Sequence, residues 1–307
     1  MKLAKSPVYE DQWLSLLHNL VSPEGVYDYI SPDKARSGVG YRLASPIIGA
    51  IESEYFPFIT SVPTPPRLAF EELWWMLRGG ENSKELEEKG VNFWKANTSR
   101  EFLDSRELFH LEEGSMGTSY GYQWRKSGGG YDQLLMLFKG LWEDTYSRRH
   151  IVSLWSPYEL YEMPLTPCWY SSQWWITGEG EKALLHLHLN NRSLDVLFGM
   201  NYAIMQYRML QASIASLLGV GIGRMTFIST MPHIYDNQIV YARELLGRDL
   251  VVSSLHSPHL EINLGKEENY RKAIIKLLSM EWGKDILANN YFPNKSKFRN
   301  QRPPMVA

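Results

Sequence analysis

The spacing of apolar residues along the chain predicts helices that alternate with short strands. Apolar positions at helical intervals predict helices over residues 9–20, 68–77, 83–97, 132–142, 203–218 and 270–278, with another that ends at residue 246. Short β-prone runs between turn signals predict strands over residues 150–155, 172–176, 183–189, 225–229 and 259–264. The helix over 203–218 is apolar nearly all round, so it is predicted to lie in the core. Residues 98–116 are polar and are predicted to be irregular.

A pair of glutamates interrupts the very apolar helix over 68–77. Glu71 and Glu72 lie about 100° apart around a helix axis, so if one faces solvent the other approaches the core. Burial would raise the pKa of the inner carboxyl toward the range that is useful for acid–base chemistry. Two solvated glutamates on an ordinary amphipathic helix are the alternative.

Two histidines lie within one predicted strand. His186 and His188 alternate with leucines and therefore share one face of a sheet. They could bind a metal ion, but the sequence offers no third ligand nearby. A polar sheet face packed against another sheet is the favoured interpretation, and we expect no metal.

Composition indicates a globular protein without a strong charge. The chain has 307 residues, of which 44% are hydrophobic, and it lacks internal repeats and low-complexity linkers, which predicts one domain over residues 1–307. Its 32 basic and 34 acidic side chains give a formal net charge of −2, so we expect no nucleic-acid partner. No apolar run is long enough to span a bilayer and the N-terminus lacks a signal-peptide core, so we expect no membrane partner.

The only cysteine, Cys168, lies in the segment Thr166-Pro167-Cys168-Trp169. One cysteine permits neither an intramolecular disulfide nor a cysteine-rich zinc site, which predicts a reducing compartment, the cytoplasm. The pair Arg148-Arg149 precedes it, and Arg192 follows it with Ser193. This pattern predicts a nucleophile beside an anion site, although a free cysteine that only packs in the core is the alternative.

Further candidates stand in a definite order around this cysteine: Arg36, Glu72, Trp94, Tyr120, Arg148-Arg149, Pro167-Cys168, Asn191-Arg192-Ser193 with Asp195, and His233 with Tyr235. Their order and spacing resemble thymidylate synthase and the related pyrimidine-nucleotide hydroxymethylases, from about residue 31 to the C-terminus. The resemblance implies an α+β fold in which a large mixed sheet is covered by helices on one face and packed against a second subunit on the other. It also implies a one-carbon transferase that works as a homodimer.

The resemblance gives each candidate residue a role. Catalysis is implied for Cys168, Glu72, Tyr120 and Arg192, with Cys168 as the thiolate that adds to C6 of a pyrimidine and makes C5 nucleophilic. The substrate phosphate is implied to contact Arg36, Arg192 and Ser193 of one subunit and Arg148 and Arg149 of the other. The sugar is assigned to His233 and Tyr235, and the base pocket to Ala203, Trp169 and Asn191. The co-substrate 5,10-methylenetetrahydrofolate is assigned to Trp94, Asp195, Phe93 and Tyr202, with the C-terminal residues closing as a lid.

Departures from thymidylate synthase cluster around the base. The family's Pro-Cys-His reads Pro167-Cys168-Trp169, its Gln-Arg-Ser reads Asn191-Arg192-Ser193, and its uracil-reading asparagine is Ala203. Alanine cannot present the donor and acceptor that select uracil, which favours cytosine. We therefore expect folate-dependent 5-hydroxymethylation of CMP or dCMP, in which water captures the methylene intermediate. Asn97 replaces the family's second folate-side tryptophan and is expected to admit that water.

Two other functions stay open at this stage. The first is thymidylate synthase proper, which methylates dUMP reductively to dTMP. The second is a non-catalytic relative that binds a nucleotide as a sensor or regulator.

Overall fold

A computed structural model describes residues 1–21, 29–31, 40–43, 45–248 and 257–294. The helices in these ranges are α1 (Tyr9–Val21), α2 (Pro66–Leu77), α3 (Lys84–Glu87), α4 (Arg100–Ser105), α5 (Tyr120–Gly130), α6 (Gln133–Glu143), α7 (Gly199–Leu218), α8 (Asp236–Leu246) and α9 (Tyr270–Leu278). None of them is long and apolar enough to cross a membrane. The strands are β1 (Lys2–Lys5), β2 (Tyr29–Ser31), β3 (Gly40–Arg42), β4 (Ile47–Ile51), β5 (Tyr55–Phe56), β6 (Ile151–Ser153), β7 (Trp169–Thr177), β8 (Leu184–Asn191), β9 (Leu194–Asp195), β10 (Gly221–Ser229), β11 (Pro232–Tyr235), β12 (His259–Ile262) and β13 (Ile286–Asn289).

Most predicted helices and strands are present, with shifted ends. The core helix α7 begins at Gly199 and ends at Leu218, and Gly219 caps it in the left-handed conformation at a φ of +73°. The helix predicted over 83–97 is wrong beyond Glu87, because Gly90 adopts a φ of +75° and reverses the chain. Residues 98–116, which were predicted to be irregular, contain the short helix α4.

A five-stranded sheet in the order β4-β10-β8-β7-β6 forms the centre of the fold. β8 runs parallel to β10 and antiparallel to β7, so the sheet is mixed. Two four-stranded sheets, β13-β12-β1-β5 and β2-β3-β11-β9, contain the other strands named above. These mixed sheets and the helices packed with them confirm the predicted α+β class.

Helix α7 packs against one face of the central sheet, and the two form a common hydrophobic core. Leu185, Leu187 and Leu189 of β8 are fully buried in that core. Arg208 of α7 is also fully buried, although it is charged. Its guanidinium donates to the carbonyl oxygens of Glu52, Ser53, Tyr55 and Gly223 and to Oε1 of Gln211. Burial lowers the pKa of Arg208 to about 9, and the hydrogen bonds compensate part of its lost hydration.

The other face of β8 is polar and half-buried in the single chain. His186 and His188 share this face, as the alternation with leucines predicted. His188 Nδ1 lies 2.8 Å from Thr226 Oγ1, and the His186 ring stacks on Trp175 with centroids 5.3 Å apart. Within the described ranges, no group of three or more His, Cys, Asp or Glu side chains could hold a metal ion.

The N-terminal segment packs behind the beginning of α7. Its strand β1 pairs with β12 and β5. From α1, Trp13 Nε1 donates to the Val196 carbonyl at 2.7 Å, and Tyr9 Oη bonds Asn201 Oδ1 at 2.9 Å. Both rings are buried, so α1 helps to fix the position of the α7 N-terminus.

Candidate active site

One cavity collects most of the predicted site residues. It is bounded by α2, α5 and α7 and encloses roughly 1000 Å³, with the open space at its mouth included. The predicted residues that line it are Glu72, Phe93, Trp94, Tyr120, Cys168, Trp169, Ser193, Asp195, Tyr202, Ala203, His233 and Tyr235. Leucine, methionine and tryptophan side chains complete an apolar wall. Such a site suits a flat ring that is held by a few directed polar groups.

Cys168 lies immediately before β7, half-buried at the edge of the cavity. Its backbone N–H donates to Tyr120 Oη at 2.8 Å, and its carbonyl accepts from the N–H of Arg192 at 2.9 Å. The thiol is therefore carried by a backbone that is held from both sides, by the beginning of α5 and by the residue that follows β8.

The Arg192 guanidinium holds the segment that carries the thiol. Nε donates to the Pro167 carbonyl at 3.0 Å, and one terminal nitrogen donates to the carbonyl and the hydroxyl of Thr166 at 2.8 Å and 2.6 Å. The guanidinium also lies over the Trp155 ring, 5.6 Å from its centroid. It is not among the groups that line the cavity, although a guanidinium has five N–H donors and these contacts leave some of them for an anion.

Glu72 is the inward-facing member of the glutamate pair. Its Oε1 accepts from Trp94 Nε1 at 2.6 Å and its Oε2 accepts from Gln206 Nε2 at 2.5 Å. Burial raises its pKa from 4.5 to about 7, while both hydrogen bonds act in the opposite direction. Glu71 instead pairs with Lys89 at 2.9 Å on the outside of the helix. The carboxyl of Glu72 can therefore exchange a proton near neutral pH.

Tyr120 contacts the segment that carries the thiol and lies at the beginning of α5, which packs close to the C-terminal end of α2. A Cβ on the next residue, Gly121, would lie 2.2 Å from the Gly80 carbonyl oxygen, so a glycine lets α5 approach the end of α2. The Tyr120 ring meets Trp94 edge to face, with centroids 5.6 Å apart. Burial, reinforced by negative charge on Cys168, raises the pKa of Tyr120 well above its ordinary value, so it stays a neutral phenol.

The side chains predicted for the sugar and the folate line the same cavity. His233 and Tyr235 of β11 are both buried and pack edge to face at 4.9 Å. Phe93 and Tyr202 pack with ring centroids 4.7 Å apart. Asp195 accepts from the N–H groups of Leu197 and Phe198 at 3.1 Å and 3.2 Å, so its carboxylate also organises the turn that leads into α7.

Several predicted site residues lie away from this cavity. Asn191 is buried and accepts from Ser229 Oγ at 2.7 Å, and it does not line the cavity, although it was predicted for the base pocket. Arg148 and Arg149 are exposed and lie outside the lining. Arg36 and the predicted C-terminal lid lie outside the described residues.

Two amides in the cavity were missed or given another role. Gln206 lines the wall beside Glu72, one helical turn after Ala203, and helical spacing in the sequence was the signal for it. Asn97 is 5% exposed, and its Nδ2 is buried without a hydrogen-bond partner in the described part of the chain. A buried amide nitrogen without a partner is unusual in a folded protein.

Residues 31–297 match the family model described as thymidylate synthase. The chain belongs to the thymidylate synthase family. The thymidylate synthase of Candida albicans is 30% identical over 78% of this chain and 83% of its own length. The bifunctional dihydrofolate reductase-thymidylate synthases of Zea mays and Daucus carota are both 34% identical, over 69% and 88% of this chain. The chain spans 42% and 51% of those two proteins.

Membership of this family confirms the predicted α+β fold. The predicted enzyme class, a one-carbon transferase, agrees with the names of these relatives. The prediction of cytidine hydroxymethylation is wrong, because the relatives are named as thymidylate synthases or contain one. Its physical basis was the missing amide at Ala203. The cavity nevertheless contains a side-chain amide at another position of the same helix, Gln206.

Proposed function

We propose that this chain is a thymidylate synthase, which methylates dUMP reductively to dTMP with 5,10-methylenetetrahydrofolate as co-substrate. The observation that carries the proposal is one apolar cavity, in a chain of this family, that contains a thiol, a carboxyl and a buried phenol, those of Cys168, Glu72 and Tyr120. Thiolate addition to C6 is the chemistry that makes C5 of a pyrimidine nucleophilic, and Cys168 is the only cysteine in the chain.

The thiolate of Cys168 adds to C6 of the uracil ring, and the resulting enolate attacks the methylene carbon of the folate through C5. Loss of the C5 proton and departure of tetrahydrofolate give an exocyclic methylene, which then takes a hydride from the tetrahydrofolate ring. The thiolate leaves C6, and the products are dTMP and dihydrofolate. The carbon and the hydride both come from the folate, so the step needs no other reductant.

Glu72 moves protons in this reaction, and Tyr120 positions the thiol. With a pKa of about 7, Glu72 can accept and return a proton at the base within the working pH range. Tyr120 remains a phenol and holds the backbone of Cys168. The surrounding aromatic walls exclude water from the methylene intermediate, which favours capture by hydride.

We also propose the homodimer, with Arg148 and Arg149 completing the phosphate site of the partner. Both side chains are exposed, and neither lines the cavity of its own chain. The half-buried polar face of the central sheet supports the same assembly, because a second subunit would cover its stacked Trp175 and His186. Arg192 and Ser193 would contact the phosphate from their own subunit. We place this enzyme, as one domain over residues 1–307, in the cytoplasm.

Turnover of dUMP tests the reaction. Purified protein with dUMP and methylenetetrahydrofolate should form dihydrofolate, seen by its absorbance, together with dTMP. Cys168→Ala should abolish both products, and dCMP should give neither. A protein that binds dUMP but forms no dihydrofolate would be the non-catalytic relative, and the proposed reaction would be refuted.

Subunit mixing tests the shared site. Cys168→Ala and Arg149→Ala homodimers should each have little activity. After denaturation and refolding together, random pairing gives hybrid dimers with one intact site, so about a quarter of the wild-type activity should return. No recovery would refute the sharing of Arg149 across the dimer.

A further inference from the structure

Gln206 places a carboxamide in the cavity one helical turn after Ala203. Residues three apart on a helix share a face, and both of these line the same cavity as Cys168. Gln206 is 7% exposed, and its Nε2 donates to Glu72 Oε2 at 2.5 Å. In the described part of the chain, neither its carbonyl oxygen nor its second N–H has a partner. Half of this amide is therefore left to face the cavity.

Glu72 determines which way the amide points. The second carboxylate oxygen of Glu72 is already bound by Trp94 Nε1, a group that can only donate. While Glu72 is ionised it can only accept, so Gln206 presents its amino group to it. A flipped amide would set its carbonyl oxygen against the carboxylate in a buried site, where two acceptors repel strongly.

We propose that Gln206 is the residue that selects the uracil ring, a role that Ala203 cannot perform. This inference rests on the proposed function at the same site. The carbonyl oxygen and the N–H beside it form a donor–acceptor pair, which complements O4 and N3–H of uracil, while the opposite N–H stays on Glu72. Cytosine presents the reversed pattern, an amino group and a bare N3. It would require the flipped amide that Glu72 opposes.

The test compares equilibrium binding of dUMP and dCMP without folate. Gln206→Met keeps the side-chain volume but removes the amide, and it should lower the dUMP preference at least about tenfold, the value of roughly one buried hydrogen bond. Gln206→Ala should do the same. Adding Ala203→Asn to Gln206→Ala places an amide one turn earlier and should restore the preference. A merely structural role would weaken both nucleotides equally and leave their ratio unchanged.

Ser213→Ala is the matched control on α7. Its hydroxyl is buried without a partner in the described residues and does not line the cavity, so the ratio should not change. A wild-type protein that binds dCMP as tightly as dUMP, or an unchanged ratio in both Gln206 variants, would overturn the inference. Dihydrofolate formation by the wild type is read separately. If it is present while the ratio is unchanged, only the role of Gln206 fails; if it is absent while the ratio responds, only the proposed reaction fails.

Discussion

Glu72 should make the folded protein less stable as the pH rises through neutrality. Burial raises the pKa of this carboxyl from 4.5 to about 7, against the hydrogen bonds from Trp94 and Gln206. Between these two values the folded state binds more protons than the unfolded chain, so the free energy of unfolding falls as the pH increases. Below about pH 4.5 both states are protonated, and above about pH 7 both are ionised, so the contribution is constant outside this window.

The size of the effect follows from the same two values. The interval from 4.5 to about 7, at about 1.4 kcal/mol per pKa unit, corresponds to a loss on the order of 3 kcal/mol. Glu72→Gln is uncharged at every pH and so lacks this dependence. The free energy of unfolding of the wild type, minus that of Glu72→Gln, should therefore decrease by about 2–3 kcal/mol between pH 5 and pH 8.

Urea unfolding followed by tryptophan fluorescence measures this difference at each pH. Other titrating groups are common to both proteins and cancel in the subtraction. Glu71→Gln, which removes the carboxylate that pairs with Lys89 outside the same helix, controls for the loss of a charge on α2. A difference that stays constant from pH 5 to pH 8 would refute the assignment of Glu72 as a buried group with a raised pKa.

Three further substitutions test features around the cavity. Trp94→Phe removes a hydrogen-bond donor to Glu72, so the pKa of Glu72 should rise. The part of the pH profile of kcat/KM that reports this carboxyl should then move to higher pH. An unchanged profile would show that Glu72 does not titrate in the reaction. Asp195→Ala removes the acceptor in the turn before α7 and should lower the free energy of unfolding by about 1–2 kcal/mol in urea, whereas Asp195→Asn should retain most of that stability. Equal losses in the two variants would contradict the role of Asp195 in this turn. Arg208→Met leaves several buried carbonyl groups without a donor and should lower the free energy of unfolding by about 3–5 kcal/mol. An unchanged Tm would contradict this expectation.

Local patterns in the sequence predicted most of the secondary structure. The period of apolar residues located α7 and its end at Gly219, because helical amphipathicity and a glycine cap are local properties. The helical pattern does not hold over 83–97, because Gly90 adopts a positive φ that ends the helical conformation there. The pairing order of the central sheet joins strands far apart in sequence, and no spacing rule supplies it.

The order of candidate residues predicted the contents of the cavity better than it predicted the substrate. Cys168, Glu72 and Tyr120 meet as the resemblance implied. The prediction of cytosine rested on Ala203 alone, whereas the amide of Gln206 acquires its orientation from a carboxylate on another helix. Arg192 is a similar case: the sequence shows a free cation, but its guanidinium already binds the carbonyl groups before Cys168. Partners of this kind are decided by tertiary packing.

The hydrogen bonds from α1 show that the packed structure includes residues that precede the family match. The match begins at residue 31, yet Trp13 and Tyr9 donate to Val196 and Asn201 directly behind the cavity wall. A minimal fragment cut at residue 31 would leave both acceptors without their donors and would open the rear of α7 to solvent. Residues 1–21 therefore belong in any shortened version of this enzyme that is meant to keep the shape of its cavity.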